Sequence, residues 1–390
     1  MVYKKKEKRV PEGFDSVNEY FNYLYRRDDL IWMGQNTNHL QHVKDIEDAL
    51  VEGARKRNYC KYPPPEGFPE LKELVLKDLD LSSDIYDIQI TASATESLYL
   101  AISTTLKCNE NTIASDPGYL IINNFCNRFG DHVKEVPIYS DEHGYKLTGQ
   151  LIRENIDENS KLVILIDPLN PTGAGYSEEE IKEIAEIAIE NDLIVLHDIT
   201  YRDFAKSHTL VAKYAPENTI TVFSFSKIFG MAGLRIGAVI STPERIEDMR
   251  SSVINDLGTN ILAQDAAIAG LKSKDQWIDE IKQTCFRNQE LIKEAVDETP
   301  GAFMPVYPSE ANMTIIDISG TGVDPVDLSN YMLKEKNIFI REGNYTSKLY
   351  GDRYVRISYS IPTEEVMEFR KEFKNSIEAV QKQKGIKVQQ

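Results

Sequence analysis

From Lys161 to Ser241 the chain alternates strand-length apolar runs with a helix-length amphipathic run, and no other feature narrows the fold as much. "KLVILID" (Lys161 to Asp167) is apolar almost throughout and bounded by turn residues, as a strand covered on both faces must be. "YSEEEIKEIAEIAIEND" follows with apolar positions at helical spacing, and Ser177 and Glu180 form the S-x-x-E capping box that opens a helix. "LIVLHD" (Leu193 to Asp198), "ITVFSFS" and "LRIGAVIS" are further strands. Strand, helix, strand at this spacing predicts an α/β fold with a mostly parallel sheet and helical crossovers.

Upstream, "IQITASATESLYLAISTTL" reads as a short strand, a tight turn and a helix starting near Ala94. Downstream of about Ser273 the pattern changes. "QWIDEIKQTCFRNQELIKEAVDE" and "TEEVMEFRKEFKNSIEAVQKQ" are amphipathic helices, and "MTIIDIS", "NIFIRE" and "YVRISYS" are strands of a smaller α+β unit. A chain of 390 residues suits two domains better than one core. We expect residues 1–45 to form an N-terminal arm and part of a small domain, 46–273 the large domain, and 274–390 the rest of the small one. No repeat is present, and low complexity is confined to the frayed ends "MVYKKKEK" and "KGIKVQQ".

Several functional classes lack support. The run "KKKEKR" sits on a chain of net charge −17, so a solvated arm is expected there and no nucleic-acid partner. No apolar run approaches a membrane span, and the N-terminus has no hydrophobic stretch after its basic residues, so neither signal nor anchor is expected. Cys60, Cys108, Cys126 and Cys285 are scattered, with no CxxC or Cys/His cluster, which fits a reducing cytoplasm. The six histidines show no HxxxH or HExxH pairing, so no metal is expected.

In open α/β sheets, ligands bind outside the carboxyl ends of the strands. The residues found there are Ser93, Ala94, Thr95, Tyr119, Asn170, Asp198, Tyr201, Ser224, Ser226 and Lys227. None belongs to a GxGxxG or GxxxxGK[ST] fingerprint, so nicotinamide and P-loop nucleotide readings lack their motif. The set does offer an amine, a carboxylate, phenols and an anion-binding helix start, with Arg235 close by. Those are the groups required by an aldehyde cofactor with a pyridine ring and a phosphate.

"YPPPEGFPELKE" (Tyr62 to Glu73), "TASATES", "DPGY", "NPTG" (Asn170 to Gly173), "DITY" (Asp198 to Tyr201), "SFSKIFGMAGLRIG" (Ser224 to Gly237) and "YVRIS" (Tyr354 to Ser358) together resemble the class I/II aminotransferases. These are fold-type I enzymes dependent on pyridoxal 5′-phosphate, with a large domain and a smaller α+β domain. The resemblance covers nearly the whole chain in the family's order.

It implies that Lys227 holds the cofactor as a Schiff base, is displaced by substrate, and then moves the proton between Cα and the cofactor's C4′. Asp198 would keep the pyridine nitrogen protonated, Tyr201 and Asn170 would bond the phenolic oxygen, and Tyr119 would stack on the ring. A cis Asn170–Pro171 bond is implied as well. The phosphate would be held by Ser93, Ala94 and Thr95 at a helix start, with Ser224, Ser226 and Arg235. Many relatives have glycine where Ser93 stands. Tyr62 would reach the phosphate of a neighbouring subunit, making the protein at least a homodimer with a shared active site.

Arg356 would take the substrate's α-carboxylate in a bidentate fork, and a structural carboxylate is its other possible partner. Arg341 resembles an arginine that grips phosphate in histidinol-phosphate aminotransferases, whereas "PPPEGFPEL" is closer to the aspartate and aromatic enzymes. The expected activity is ping-pong transfer of an amino group from an aspartate- or aromatic-type L-amino acid to a 2-oxo acid such as 2-oxoglutarate. The alternatives are histidinol-phosphate transamination, or a C–S lyase or decarboxylase using nearly the same residues.

Overall fold

The computed structural model describes residues 13–40, 43–253 and 257–386. The basic run of the N-terminal arm and the last residues of "KGIKVQQ" lie outside them. Twelve strands are found among the described residues. They are β1 (Ile31–Trp32), β2 (Asp87–Thr91), β3 (Asn111–Asp116), β4 (Val133–Pro137), β5 (Ser160–Ile166) and β6 (Ile194–Asp198). Then come β7 (Thr219–Ser224), β8 (Gly237–Ser241), β9 (Met313–Asp317), β10 (Ile338–Phe339), β11 (Arg341–Glu342) and β12 (Tyr354–Ser358).

The seven strands β2–β8 form one sheet in the order β2-β8-β7-β6-β5-β3-β4. All neighbours are parallel except β8, which runs against both β2 and β7. The sheet is therefore mostly parallel, as the strand–helix alternation requires. Helices cover its faces, and the apolar runs become the core: Leu162 to Ile166 and Ile194 to Leu196 are all buried. The helix Glu178–Glu190 begins at the expected capping box, with Ser177 and Glu180 each accepting the other's backbone N–H. It packs Ile181, Ile184, Ala185, Ile187 and Ala188 inward, the stripe its apolar spacing dictates.

Six of the seven strands point the same way, so their carboxyl ends share one edge, and β8 starts at that edge because it is reversed. Residues following β2, β3, β5, β6 and β7 thus meet those preceding β8. Gly237 makes the junction close: a Cβ there would stand 2.5 Å from the Ala94 backbone nitrogen. Only a glycine lets the start of the helix Ala94–Thr105 press against β8.

The C-terminal region builds a separate antiparallel sheet, β11-β12-β9, backed by the helices Lys274–Asp297, Pro325–Lys336 and Thr363–Lys384. "NIFIRE" does not form one strand. Ile338 and Phe339 pair in parallel with β1 from the N-terminal segment, while Arg341 and Glu342 pair with β12. The chain changes sheets at Ile340, which brings residues 31–37 beside the C-terminal strands.

Candidate active site

A cavity of about 380 Å³ opens at the common strand edge. Ser93, Ala94, Thr95, Tyr119, Asn170, Asp198, Tyr201, Ser224, Ser226, Lys227, Arg235, Arg341 and Arg356 all line it, converging from eight separate turns and strands. Tyr62 does not: it is 77% exposed and stands apart from the cavity of its own chain.

Lys227 follows β7 in the turn toward the helical segment Ala232–Leu234. Its ammonium makes one long contact, to the Gln35 carbonyl at 3.5 Å, and lies 5.8 Å from the Tyr201 ring centre. No carboxylate pairs with it among the described residues. Burial, then the positive fields of Arg356 and Arg235, hold its pKa down to about 8, against a smaller opposing pull from Asp198. A lysine so placed loses its proton easily.

Asp198 ends β6 and is 4% exposed. Its Oδ1 accepts from the backbone N–H of Thr200 at 3.1 Å and from the Thr200 hydroxyl. No arginine, lysine or histidine pairs with it among the described residues, and burial raises its pKa. A buried carboxylate without a cation is costly, so the arrangement is complete only when something positive enters the cavity.

Tyr201 accepts a hydrogen bond from Asn36 Nδ2 at 3.2 Å, and burial lifts the phenol's pKa to about 12. Asn170 stands just before a cis Asn170–Pro171 bond, the isomer the resemblance implies. Its Oδ1 accepts from Arg356 Nη1 at 2.9 Å, while Arg356 Nη2 donates to the Gly34 carbonyl at 3.0 Å. Arg356 Nε has no partner, and no carboxylate lies within ion-pair reach of this buried guanidinium among the described residues. The structural-carboxylate alternative therefore does not hold.

Arg341 faces Arg356 directly across the β11–β12 pair. It too is buried, has no partner for Nε, and lies 4.5 Å from the Tyr345 ring centre and 5.2 Å from that of Phe21. Two neighbouring cations without carboxylate partners among the described residues make the floor of the cavity a receptor for anions.

The opposite end is built from a helix start and two turns. Ala94 and Thr95 begin the helix Ala94–Thr105, whose dipole and first backbone N–H groups favour an anion. Ser224 ends β7 and Ser226 sits in the turn after it, with the Ser226 N–H donating to Ser224 Oγ at 3.2 Å. Arg235, at φ +53°, donates to the Ala232 carbonyl at 2.8 Å.

Ser93 adopts φ +90° and ψ 161°, a region that a side chain makes costly and glycine occupies freely. Its Oγ caps the helix by accepting from the Thr95 N–H at 3.3 Å, and replacing such a cap by glycine loses only a few tenths of a kcal/mol. Ser93→Gly is therefore expected to stabilise the cofactor-free protein by about 1 kcal/mol. The check is a higher urea midpoint at unchanged m-value; an unchanged or lower midpoint refutes it.

The sequence did not reveal several site residues. Gly34, Gln35, Asn36 and Thr37 lie in a segment whose strand, β1, is too short to show a period. Phe21 comes from the helix Val17–Tyr25, and Tyr345 from the loop between the two arginines. Thr200 lies within "DITY" itself, where an oxygen-bearing side chain two residues past an aspartate was the available signal. The Tyr345 loop docks on the Tyr119 loop through a 2.8 Å bond from the Gly118 N–H to the Thr346 carbonyl, and through Ser347 and Lys348 on buried Asp116.

The chain is 28% identical over 375 residues to an aspartate aminotransferase of Pyrococcus horikoshii, covering 93% of this chain and 94% of the relative. It is 27% identical over 342 residues to aromatic-amino-acid aminotransferase 2 of Thermococcus litoralis, covering 84% and 86%. The crystal structure of an aromatic aminotransferase from Pyrococcus horikoshii superposes with a TM-score of 0.80 at 26% identity, over 94% of this chain and 99% of that one. The family pattern of aminotransferase class I and II matches residues 28–373, and the chain belongs to that family: it is an aminotransferase.

Proposed function

We propose that this aminotransferase holds pyridoxal 5′-phosphate in the cavity and moves the amino group of an aspartate- or aromatic-type L-amino acid to a 2-oxo acid such as 2-oxoglutarate, by a ping-pong mechanism. One observation carries the reading: buried Asp198, which has no cationic partner among the described residues, faces the same cavity as Lys227. A pyridinium nitrogen supplies the missing charge, and an aldehyde gives the amine its target. When bound, the cofactor supplies that aldehyde carbon and a ring that withdraws electrons from the substrate's Cα.

Lys227 Nζ would hold the aldehyde and, once displaced by the donor amine, take the proton from Cα. Asp198 would pair with the ring nitrogen and keep it protonated. Asn170 and Tyr201 would hold the phenolic oxygen, and Tyr119 would lie against the ring. Ser93, Ala94, Thr95, Ser224, Ser226 and Arg235 would hold the phosphate. Arg356 would fix the α-carboxylate in a forked pair. Tyr62, exposed on its own chain, would complete the phosphate site of a second copy in a homodimer. The free thiols of exposed Cys60 and Cys108 suit a reducing cytoplasm.

The test is the visible spectrum of the protein supplied with pyridoxal phosphate, followed by amino donors added singly. A yellow band that one donor bleaches, with formation of the matching 2-oxo acid, is the expected result; a colourless protein refutes the cofactor assignment. Arg341 favours a donor with an anionic side chain, which keeps histidinol phosphate as a second reading that the same donor panel decides.

The pH dependence follows from Lys227. Its pKa near 8 means the neutral amine gains about tenfold per pH unit below that value. Cofactor attachment to the free protein is therefore expected to quicken as pH rises and to level off above about 8. Stopped-flow absorbance checks this, and a rate still rising tenfold per unit beyond pH 9.5 contradicts it.

A further inference from the structure

Behind the cavity wall, three titratable side chains converge that the reaction does not use. Asp167, 1% exposed, opens the turn that ends in Asn170; His197 immediately precedes Asp198 on β6; His208 follows the Tyr201 segment. Asp167 Oδ2 is 3.0 Å from His208 Nε2 and 3.5 Å from His197 Nε2, and the two imidazoles stack with centres 5.5 Å apart. Neighbours on the strand face opposite ways, so His197 lies behind the sheet while Asp198 faces the cavity.

The hydrogen bonds assign the protons. His197 Nδ1 accepts from the Val211 N–H at 3.4 Å, so its own proton is on Nε2, aimed at Asp167, and the ring is neutral. No lysine or arginine pairs with Asp167 among the described residues, and a buried carboxylate needs a counter-charge. The imidazole of His208, its Nε2 3.0 Å from Asp167 Oδ2, is the nearest basic group. Its Nε2 also lies 3.2 Å from the Asp167 carbonyl oxygen, so the ring meets Asp167 through a backbone hydrogen bond and a close electrostatic contact to Oδ2, an atom with no hydrogen-bond partner among the described residues. The carboxylates of Asp203 and Glu310 and the ammonium groups of Lys146 and Lys206 are further charges around this group, with the Tyr176 phenol beside Asp167.

The three groups also stand within 4.8 Å of one another, close enough to invite a metal ion. The Val211 bond argues against one. A ligand His197 would coordinate through Nε2 while Nδ1 accepted a hydrogen bond, leaving the ring with no proton at all, whereas metal-bound imidazoles ordinarily donate from the second nitrogen.

We propose that His208 is a positioning residue: paired with Asp167 and steadied by His197, it locks the turn bearing Asn170 to the segment bearing Tyr201. Through Asn170 the lock also sets Arg356, which donates to the Asn170 side chain. The Asp167–His208 contact behind the sheet thus governs how the phenolic oxygen and the α-carboxylate are held. This inference rests on the roles given above to Asn170, Tyr201 and Arg356.

The experiment compares wild type, His208→Gln and Asp167→Asn/His208→Gln as holoenzymes. His208→Gln removes the imidazole that holds Asp167, so KM for the amino donor is expected to rise about tenfold, with a shifted pH midpoint of the cofactor's visible band. The double variant also removes the Asp167 carboxylate that lost its partner and recovers most of both losses. A His208→Gln enzyme with wild-type KM and band, altered only in its denaturation midpoint, overturns the proposal. So does dialysed wild type carrying stoichiometric zinc by mass spectrometry.

If His208→Gln does not fold, imidazole ¹⁵N NMR of the cofactor-free wild type decides, the pair being recognised by the contact between their stacked rings. A His208 Nε2–H held by Asp167 and slow to exchange with solvent is expected beside a neutral Nε2–H ring for His197, and a His208 Nε2–H that exchanges as fast as an exposed imidazole overturns the proposal. Failure of the wild type to take up pyridoxal phosphate would refute the cofactor reading, and the NMR result would still judge the cluster.

Discussion

Lys227→Ala is expected to lower turnover by about four orders of magnitude or more, because a single side chain supplies both the covalent hold and the proton transfer at Cα. The fold should not suffer. Lys227 is a desolvated cation in the field of Arg356 and Arg235, with only one long contact to a carbonyl. Removing it relieves that repulsion, so the denaturation midpoint of the cofactor-free protein should hold or rise. Lys227→Arg should be no better than alanine, since a guanidinium stays charged and cannot act as the amine. Single-turnover kinetics with excess donor measures the effect. An alanine variant within tenfold of wild type would remove Lys227 from the chemistry.

Arg356→Gln should reduce kcat/KM for amino acids by about 10²–10³, the cost of unpairing a desolvated carboxylate from its forked partner. Arg356→Lys should recover little, because a point charge cannot bond both oxygens and Asn170 Oδ1 together as the planar fork does. An amine lacking the α-carboxylate separates binding from general damage: wild type and variant should process it at similar rates. There is a second consequence. Arg356 is the largest charge holding the Lys227 pKa down, so the pH midpoint of cofactor attachment should move upward, toward the ordinary lysine value. Unchanged amino-acid KM in Arg356→Gln would assign the carboxylate to another group, with Arg341 the nearest candidate.

Much of the site was legible because parallel α/β sheets collect their strand ends on one edge. Once "KLVILID", "LIVLHD" and "ITVFSFS" were recognised as strands, Asn170, Asp198 and Lys227 had to be neighbours, whatever their distance in sequence. Arg235 was legible only through the motif around it, since nothing local shows that β8 is reversed and so begins at the same edge. Asn36 and Gly34 were not legible. They reach Tyr201 and Arg356 because β1 pairs with β10, a contact between the two ends of the chain carried by two residues on each side. "NIFIRE" looked like one strand because local periodicity cannot register a change of partner sheet at Ile340. The His197–His208–Asp167 cluster has no ligand spacing in sequence, being assembled from three separate strand ends and loops.

By itself the sequence determined the order of elements, the edge at which chemistry would gather, and the groups available there: one amine, one carboxylate, phenols, hydroxyls and arginines. Patterns of polarity suffice for that, because burial of apolar faces dictates how strands and helices must layer. Which charges stay unpaired was decided only by the tertiary structure. Among the described residues Arg356 could have met a structural carboxylate and did not; Asp198 could have met a lysine and did not; Asp167 met two histidines. Pairing depends on distances of a few ångströms between residues far apart in the chain, and desolvation turns those distances into protonation states.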